Sequence, residues 1–324
     1  MSVSLVTGLN SPAALAADSI SLYISDSGNN RVIKVPTAGG TPITLVSGLN
    51  NPTGVAVDGA NVYVSDSGNN RVLKVPLAGG TPSPVGLPNL NNPAGVAVDS
   101  GGNLYVSDSG NNRVIKTPVA GGTLTILLSS LNKPTGLTVD SSGNVYVTDS
   151  GNNRVIKTST AGGAAPTILV IGLNKPTGVA LGSGGSLYIT DGGNNRVLKL
   201  AAAGGTPTPM MAGLNNPAGL AADGAGNLYI ADSGNNQVLK LAAGTAVSSA
   251  LLTGLSNPAG LTLDSAGNIY VIDTGNNQVL KLAAGTTTPT PLVTGLNNPT
   301  ELAVDNAGNV YVTDSGRVLM VSAS

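Results

Sequence analysis

The chain lacks four residue types that carry much of protein chemistry: it contains no cysteine, histidine, tryptophan or phenylalanine. Without cysteine, neither disulfide bonds nor thiolate metal ligands can form. Without histidine, the usual general base near neutral pH is missing. Charged residues make up only 10% of the chain and the formal net charge is −1. This charge offers no field that would attract nucleic acid or anionic lipid, so we expect neither partner.

Long apolar runs are also missing. No stretch approaches the ~18 apolar residues of a membrane span, and no basic segment followed by an apolar run opens the sequence. We therefore expect no membrane insertion and see no signal peptide in this chain. Hydrophobic residues still reach 41%, alongside 45 glycines, which indicates a folded chain and not a disordered linker.

The sequence does contain an internal repeat of about 41 residues that covers the whole chain. The phrase DSGNNRV or a close variant begins eight times, at Asp26, Asp66, Asp108, Asp149, Asp191, Asp232, Asp273 and Asp314. The eight tyrosines, which are all the aromatic residues, recur with the same step. Because no stretch lies outside the repeat, we expect a single domain over residues 1–324.

Each repeat predicts four short β-strands. In the fourth copy, the β-prone runs TGLTV, VYVTD, RVIKT and TILV are separated by turn-forming segments rich in Ser, Gly and Asn. The first two runs are almost continuously apolar, as expected for sheets buried on both faces. Radially stacked four-stranded sheets form a β-propeller, and a linear stack of sheets is the alternative.

The two ends of the sequence favour the propeller. Residues 2–7 match the fourth strand of a repeat but precede the first complete copy, whereas the eighth copy ends after its third strand. The N-terminal strand can therefore complete the last sheet and remove the terminal edges. We predict an all-β, eight-bladed β-propeller of four-stranded antiparallel blades, closed in this way.

The repeat unit resembles the NHL-repeat family of β-propellers. Its pattern of Pro-x-Gly-hydrophobic-Ala, Asp, Tyr and Asp-x-x-Asn-Asn-Arg is matched in order by Pro52, Gly54, Asp58, Tyr63 and the segment 66–71. The chain looks especially like the sensor propellers of bacterial receptor-type serine/threonine kinases and like symmetric designed propellers based on them. That resemblance implies a binding module and an extracellular or periplasmic location. Some propellers with related repeats are lyases, which depend on histidines and a metal.

The DSGNNRV phrase is interpreted as a turn in which the Asp ending one strand faces the Arg beginning the next. The alternative is a Ca²⁺ loop, but Ca²⁺ needs about 6–8 oxygen ligands and each turn offers one carboxylate. We predict no cofactor and no metal. The predicted structural pairs are Asp26 with Arg31, Asp66 with Arg71, Asp108 with Arg113, Asp149 with Arg154, and Asp191 with Arg196.

A second column of acidic residues lies in the turn between the first two strands and is lost once, at Gly182. It is interpreted as a set of side chains bonded to their own turns, with a ring of carboxylates as the alternative. Three charges fall outside every column: Lys133, Lys175 and Glu301. They mark a candidate binding face, and drift at surface positions is the alternative.

The main functional expectation is a non-catalytic propeller, and therefore not an enzyme, that recognises a protein, peptide or glycan on its loop face. It is expected to be a monomer. One alternative is a structural scaffold without a ligand, produced by natural repeat amplification or by engineering. The other is a propeller lyase or hydrolase, which would have to rely on Asp, Glu, Tyr and Ser.

Overall fold

The protein is described from a computed structural model. It describes residues 2–18, 20–36, 41–99, 101–140, 143–159, 165–181, 186–201, 205–211, 213–243, 245, 247–300, 302–304, 308–315 and 317–321. The chain divides into two compact units, Gly8–Ile171 and Met1–Thr7 with Gly172–Ser324. Each unit holds four of the antiparallel sheets. The four strands of a sheet are called a, b, c and d, and in seven of the sheets they follow one another in chain order.

The unit Gly8–Ile171 contains the first four blades. Their strands are β2 (Pro12–Ala17), β3 (Ser21–Asp26), β4 (Arg31–Pro36) and β5 (Ile43–Val46); β6 (Pro52–Val57), β7 (Asn61–Asp66), β8 (Arg71–Pro76) and β9 (Ser83–Pro84); β10 (Pro93–Val98), β11 (Asn103–Asp108), β12 (Arg113–Pro118) and β13 (Thr125–Leu128); β14 (Pro134–Val139), β15 (Asn144–Asp149), β16 (Arg154–Ser159) and β17 (Thr167–Val170).

The other unit contains blades five to eight. Its strands are β18 (Pro176–Leu181), β19 (Leu187–Asp191), β20 (Arg196–Leu200) and β21 (Thr208–Met211); β22 (Pro217–Ala222), β23 (Leu228–Asp232), β24 (Gln237–Leu241) and β25 (Ser248–Leu252); β26 (Pro258–Leu263), β27 (Ile269–Asp273), β28 (Gln278–Leu282) and β29 (Thr290–Val293); β30 (Leu302–Val304), β31 (Val310–Asp314), β32 (Arg317–Val321) and β1 (Ser2–Thr7).

The N-terminal strand completes the last blade, as its sequence predicts. Strand β1 pairs antiparallel with β32, from Ser2 opposite Val321 to Thr7 opposite Arg317. The blade therefore has the order β1-β32-β31-β30, with the first strand of the chain taking the place of strand d. This pairing covers the edge of β32 with ordinary sheet hydrogen bonds.

The core lies between successive blades. In one cluster, Tyr105 and Val114 of the third blade pack against Val145, Val147 and Ile156 of the fourth. Strand b is buried along nearly its whole length because neighbouring sheets cover both of its faces. This explains its almost continuous apolar sequence, and it makes the tyrosine column part of the packing between blades.

Short 3-10 turns join strands b and c in seven blades: Ser27–Asn29, Ser67–Asn69, Ser109–Asn111, Ser150–Asn152, Gly192–Asn194, Ser233–Asn235 and Thr274–Asn276. Within the described residues, no helix is long and apolar enough to cross a membrane. The architecture is that of an all-β, eight-bladed propeller, so the predicted fold class is confirmed. The prediction of a single domain stays a prediction.

Candidate functional site

The Asp of the repeated phrase is a buried hub. In the second blade, the Asp66 side chain is 0% exposed. Its Oδ1 accepts a 2.7 Å hydrogen bond from the backbone N–H of Asn50, which lies in the loop leading into the blade. Its Oδ2 accepts bonds from Asn69 Nδ2 at 2.9 Å and Arg71 Nε at 2.7 Å. The carboxylate is thus surrounded by donors of its own fold.

The other letters of the phrase also make structural contacts. Ser67 Oγ donates to the carbonyl of Pro93 in the next blade, which ties neighbouring blades together. Gly68 lies so close to Asn50 that a Cβ would collide with that side chain. Asn70 has a left-handed backbone with φ of 55°, which Asn tolerates better than most residues.

All five predicted Asp–Arg pairs are ion pairs, with Nε to Oδ2 distances of 2.6–2.7 Å. In the sixth and seventh blades, Gln takes the place of Arg and makes the same contact. Gln237 Nε2 donates to Asp232 Oδ2 at 2.9 Å, and Gln278 Nε2 donates to Asp273 Oδ2 at 2.8 Å. A neutral donor thus serves the same carboxylate oxygen.

A second set of polar contacts connects the turn after strand a to the tyrosine of strand b. In each pair the tyrosine hydroxyl donates to a carboxylate oxygen, at 2.7–3.1 Å. The pairs are Tyr23 with Asp18, Tyr63 with Asp58, Tyr105 with Asp99, Tyr146 with Asp140, Tyr229 with Asp223, and Tyr270 with Asp264. The tyrosine rings are buried.

These pairs shift the acidity of both partners. Burial, together with the hydrogen bond to Asp and its negative charge, raises the pKa of Tyr146, Tyr229 and Tyr270 to about 12. Partial burial raises the pKa of Asp58, but hydrogen bonds from Tyr63 and from backbone amides outweigh it and leave the pKa below its usual value. Tyr146, Tyr229 and Tyr270 therefore stay protonated far above neutral pH.

The fifth blade departs from this pattern. The turn residue that is Asp in the other copies is Gly182, so its tyrosine, Tyr188, has no carboxylate at the equivalent position. Lys199 Nζ lies 5.6 Å from the centroid of the Tyr188 ring, as the corresponding lysines do over other tyrosines of the column. The lysine column thus lies over the tyrosine rings, which the sequence did not indicate.

The predicted binding face rests on three charges, two of which the structure describes. Lys133 and Lys175 are exposed and have left-handed backbones with φ of 48° and 47°. The backbone N–H of Lys133 donates to Asn112 Oδ1 at 3.0 Å. Glu301 lies outside the described residues. A binding role for this face, and the predicted monomer, stay predictions.

The donor set does not fit the metal that the resemblance to propeller lyases implies. The chain has no imidazole and no thiolate. Among the residues that the structure describes, no three acidic side chains come close enough together to hold an ion. In the first seven blades, the buried Asp of the turn already accepts hydrogen bonds on both oxygens. No reaction step through a metal can be built from these side chains.

The sequence analysis did not predict that the tyrosines donate hydrogen bonds to the acidic residues between the first two strands. The acidic column between the first two strands was interpreted as a set of turns, and the tyrosine column was noted only as a repeated position. A signal was available: Asp precedes Tyr by five or six residues in seven copies, with Tyr188 as the exception. The loss at Gly182 was visible, but its effect on Tyr188 was not.

Known propeller enzymes share this fold. A streptogramin B lyase structure matches with a TM-score of 0.64 and 18% identity, over 84% of this chain and 93% of that chain. The selenomethionine-substituted virginiamycin B lyase of Staphylococcus aureus matches with a TM-score of 0.64 and 15% identity, over 84% and 95% of the two chains. At these identities the likeness establishes the fold. No curated protein matches the chain.

A third solved structure bears on the missing histidine. It is the Staphylococcus aureus virginiamycin B lyase with quinupristin, in a catalytically inactive form in which one histidine is replaced by alanine. It matches with a TM-score of 0.65 and 15% identity, over 84% of this chain and 95% of that chain. The present chain has no histidine at all.

The family models decide how the chain is classified. An NHL-repeat model matches residues 49–75, which confirms the resemblance. The model of the virginiamycin B lyase family matches residues 83–321, well over half of the chain. This finding overturns the expectation of a non-catalytic binding module that is not an enzyme. The expectation rested on the resemblance to binding propellers and on the missing histidine, and histidine is one catalytic group and not the whole family pattern. The chain belongs to the virginiamycin B lyase family.

Proposed function

We propose that the chain catalyses an elimination reaction, as a lyase that uses neither histidine nor a resident metal. The observation that carries this proposal is the family match over residues 83–321. The shared fold of streptogramin B and virginiamycin B lyases supports it. The present chain must then replace the histidine whose loss accompanies inactivity in the relative.

The remaining side chains restrict the chemistry. An elimination needs a group that removes a proton from carbon and a group that gives a proton to the departing atom. Without His or Cys, those groups must come from Asp, Glu, Tyr or Lys. The buried Asp of each DSGNN turn is poorly suited. Asp66 is 0% exposed and both of its oxygens accept hydrogen bonds, and its equivalents are at most 3% exposed.

The tyrosine column is better suited to proton transfer. Its hydroxyl groups meet the turns between strands a and b, where the partner carboxylates are only half-buried and reach solvent. Buried tyrosine rings fix the position of each hydroxyl, and orientation of reacting groups is a large part of enzymatic rate enhancement. At neutral pH these hydroxyl groups are protonated, so the column is assigned the role of the acid that gives a proton to the departing atom.

Incubation with virginiamycin B and with quinupristin, followed by mass spectrometry, tests the proposal. A lyase adds no water, so the products together retain the mass of the substrate, whereas hydrolysis adds one water. We expect product formation without added water, at an equal rate in the presence of EDTA. Unchanged substrate at high enzyme concentration, or a product that has gained water, would overturn the proposal.

A further inference from the structure

The loops that lead from strand d of one blade to strand a of the next repeat the same hydrogen bonds, and we call these loops connectors. In the connector before the second blade, the N–H of Asn50 donates to Asp66 Oδ1 at 2.7 Å. The N–H of the next residue, Asn51, donates at 2.9 Å to Oδ1 of Asn30, which lies in the turn of the first blade. Asparagine acceptors of the same kind bind the N–H groups at the equivalent positions Asn92, Lys133, Asn216, Asn257 and Asn298. These connectors are thus fixed at two successive residues.

The connector after β1 lacks one of these two attachments. Strand β1 serves as strand d of the eighth blade, whose copy of the repeated phrase is shortened to DSGRV and contains neither asparagine. The N–H of Ser11 therefore has no asparagine acceptor of this kind. Asn10 keeps its own bonds, because its N–H donates to Asp26 Oδ1 at 2.6 Å and its carbonyl accepts from the N–H of Gly28 at 2.8 Å.

The sequence of this connector also differs from the others. Asn10 and Ser11 form the only Asn–Ser step of the chain, and the chain has no Asn–Gly step. A small residue after Asn leaves the side-chain carbon Cγ open to the following backbone nitrogen. Both residues are exposed, so water reaches them. The Ser11 hydroxyl donates a long hydrogen bond of 3.4 Å to Asn10 Oδ1, where negative charge develops when Cγ is attacked.

We propose that Asn10 is a modification site, at which the side-chain amide is lost spontaneously in water. The backbone nitrogen of Ser11 gives its proton to water and forms a bond to Cγ of Asn10. The bond from Cγ to the side-chain nitrogen breaks, and that nitrogen takes a proton from water and leaves as ammonia. The resulting five-membered ring adds one water and opens to aspartate or to isoaspartate. Water is the one co-reactant, and nothing is oxidised or reduced.

The products change the connector in two ways. Each puts a negative charge at position 10, whose N–H is bonded to the buried carboxylate of Asp26. The isoaspartate product also adds one carbon atom to the main chain between β1 and β2. Both changes weaken the attachment of the connector to the turn of the first blade, so we expect the modified chain to melt at a lower temperature than the unmodified chain.

The variant N51S gives a matched control within the full chain. It creates a second Asn–Ser step, at a connector that keeps its Asn30 acceptor. Ser11 has φ of 47° and Asn51 has φ of 49°, so serine fits this backbone. Wild type and N51S are incubated in mildly alkaline buffer, both folded and in concentrated guanidinium chloride. Peptide mapping by mass spectrometry follows the gain of about one dalton at Asn10 and at Asn50.

In denatured N51S, we expect the two Asn–Ser steps to react at similar rates. In folded N51S, Asn10 should react at least ~5-fold faster than Asn50, a ratio that one hydrogen bond of ordinary strength supplies. Equal rates at the two positions in the folded variant, or a faster reaction at Asn50, would overturn the proposal. An Asn10 that stays intact in folded wild type while it reacts in denaturant would also overturn it, and this comparison does not depend on the folding of N51S.

Discussion

The hydroxyl of Tyr63 donates a 2.7 Å hydrogen bond to the carboxylate of Asp58, and this contact makes the fold sensitive to high pH. Burial, together with the equivalent contact, raises the pKa of Tyr146, Tyr229 and Tyr270 to about 12, against ~10 in an unfolded chain. A raised pKa in the folded state stabilises the fold fully below pH ~10, and the stabilisation is lost as pH rises towards 12. We expect the melting temperature, followed by circular dichroism, to be flat up to pH ~10 and to fall steeply above it.

Asp58→Asn removes the negative charge of the residue that Tyr63 bonds, while nearly keeping the shape of its side chain. The variant keeps a side-chain oxygen for the turn but removes the negative charge beside Tyr63. We expect Tyr63 to ionise at a lower pH than in wild type, and the free energy of unfolding to fall by about 1–3 kcal/mol. Ultraviolet absorbance of tyrosinate measures the first effect cleanly, since the chain has no tryptophan. An unchanged titration curve would show that the carboxylate does not control the tyrosine.

Much of the fold could be predicted because the same pattern of four strands recurs eight times in the sequence. The match of residues 2–7 to strand d, and the missing fourth strand after β32, together gave the pairing that the structure contains. The contact between Asp58 and Tyr63 could not be predicted in the same way. It depends on how the turn folds back over the sheet, and spacing alone does not specify that conformation.

The functional prediction failed for a different reason. The resemblance to binding propellers and the absence of histidine were together interpreted as absence of catalysis, although a missing histidine excludes only one set of catalytic groups.

Arg71→Gln and Asp66→Asn test which half of the repeated turn stabilises the fold. Arg71 is 40% exposed, and exposed ion pairs contribute about 0–1 kcal/mol. Gln237 already makes the equivalent contact in the sixth blade. We therefore expect R71Q to cost less than ~1 kcal/mol. D66N should cost about 1–3 kcal/mol, because it replaces one of the two acceptor oxygens with an NH2 group that faces buried donors. Urea denaturation gives both values, and a larger loss for R71Q would contradict this assignment.

Deletion of residues 2–7 should open the eighth blade. Without β1, the backbone groups of β32 that pair with Ser2 to Thr7 become an exposed strand edge beside the buried Val318 and Leu319. We expect a lower melting temperature and larger species in size-exclusion chromatography. Appending SVSLVT after the C-terminus through a short turn should restore both, since antiparallel strands can be joined as a hairpin. A deletion variant that melts and elutes like wild type would contradict the role of β1.

Lys133 is one of the three charges that fall outside the repeated columns, and Lys133→Asn tests whether this lysine lowers the stability of the fold. Lys133 has φ of 48°, and Asn51 occupies the equivalent position in the second blade with φ of 49°. The left-handed region costs most side chains about 1 kcal/mol or more, and Asn tolerates it better. The hydrogen bond from the Lys133 backbone N–H to Asn112 does not involve the lysine side chain. We therefore expect K133N to raise the free energy of unfolding by up to ~1 kcal/mol.

The reverse substitution, Asn51→Lys, is the matched control and should lower the free energy of unfolding by a similar amount. Midpoints of urea denaturation for the two variants give the comparison. If K133N raises the free energy of unfolding and N51K lowers it, the left-handed backbone at Lys133 is strained, and the exposed lysine is present despite its cost to stability. A strained residue that persists where a better one is available points to a use for its side chain. If K133N leaves stability unchanged or lowers it, the lysine side chain stabilises the loop itself, and the argument for a binding face loses its basis at this position.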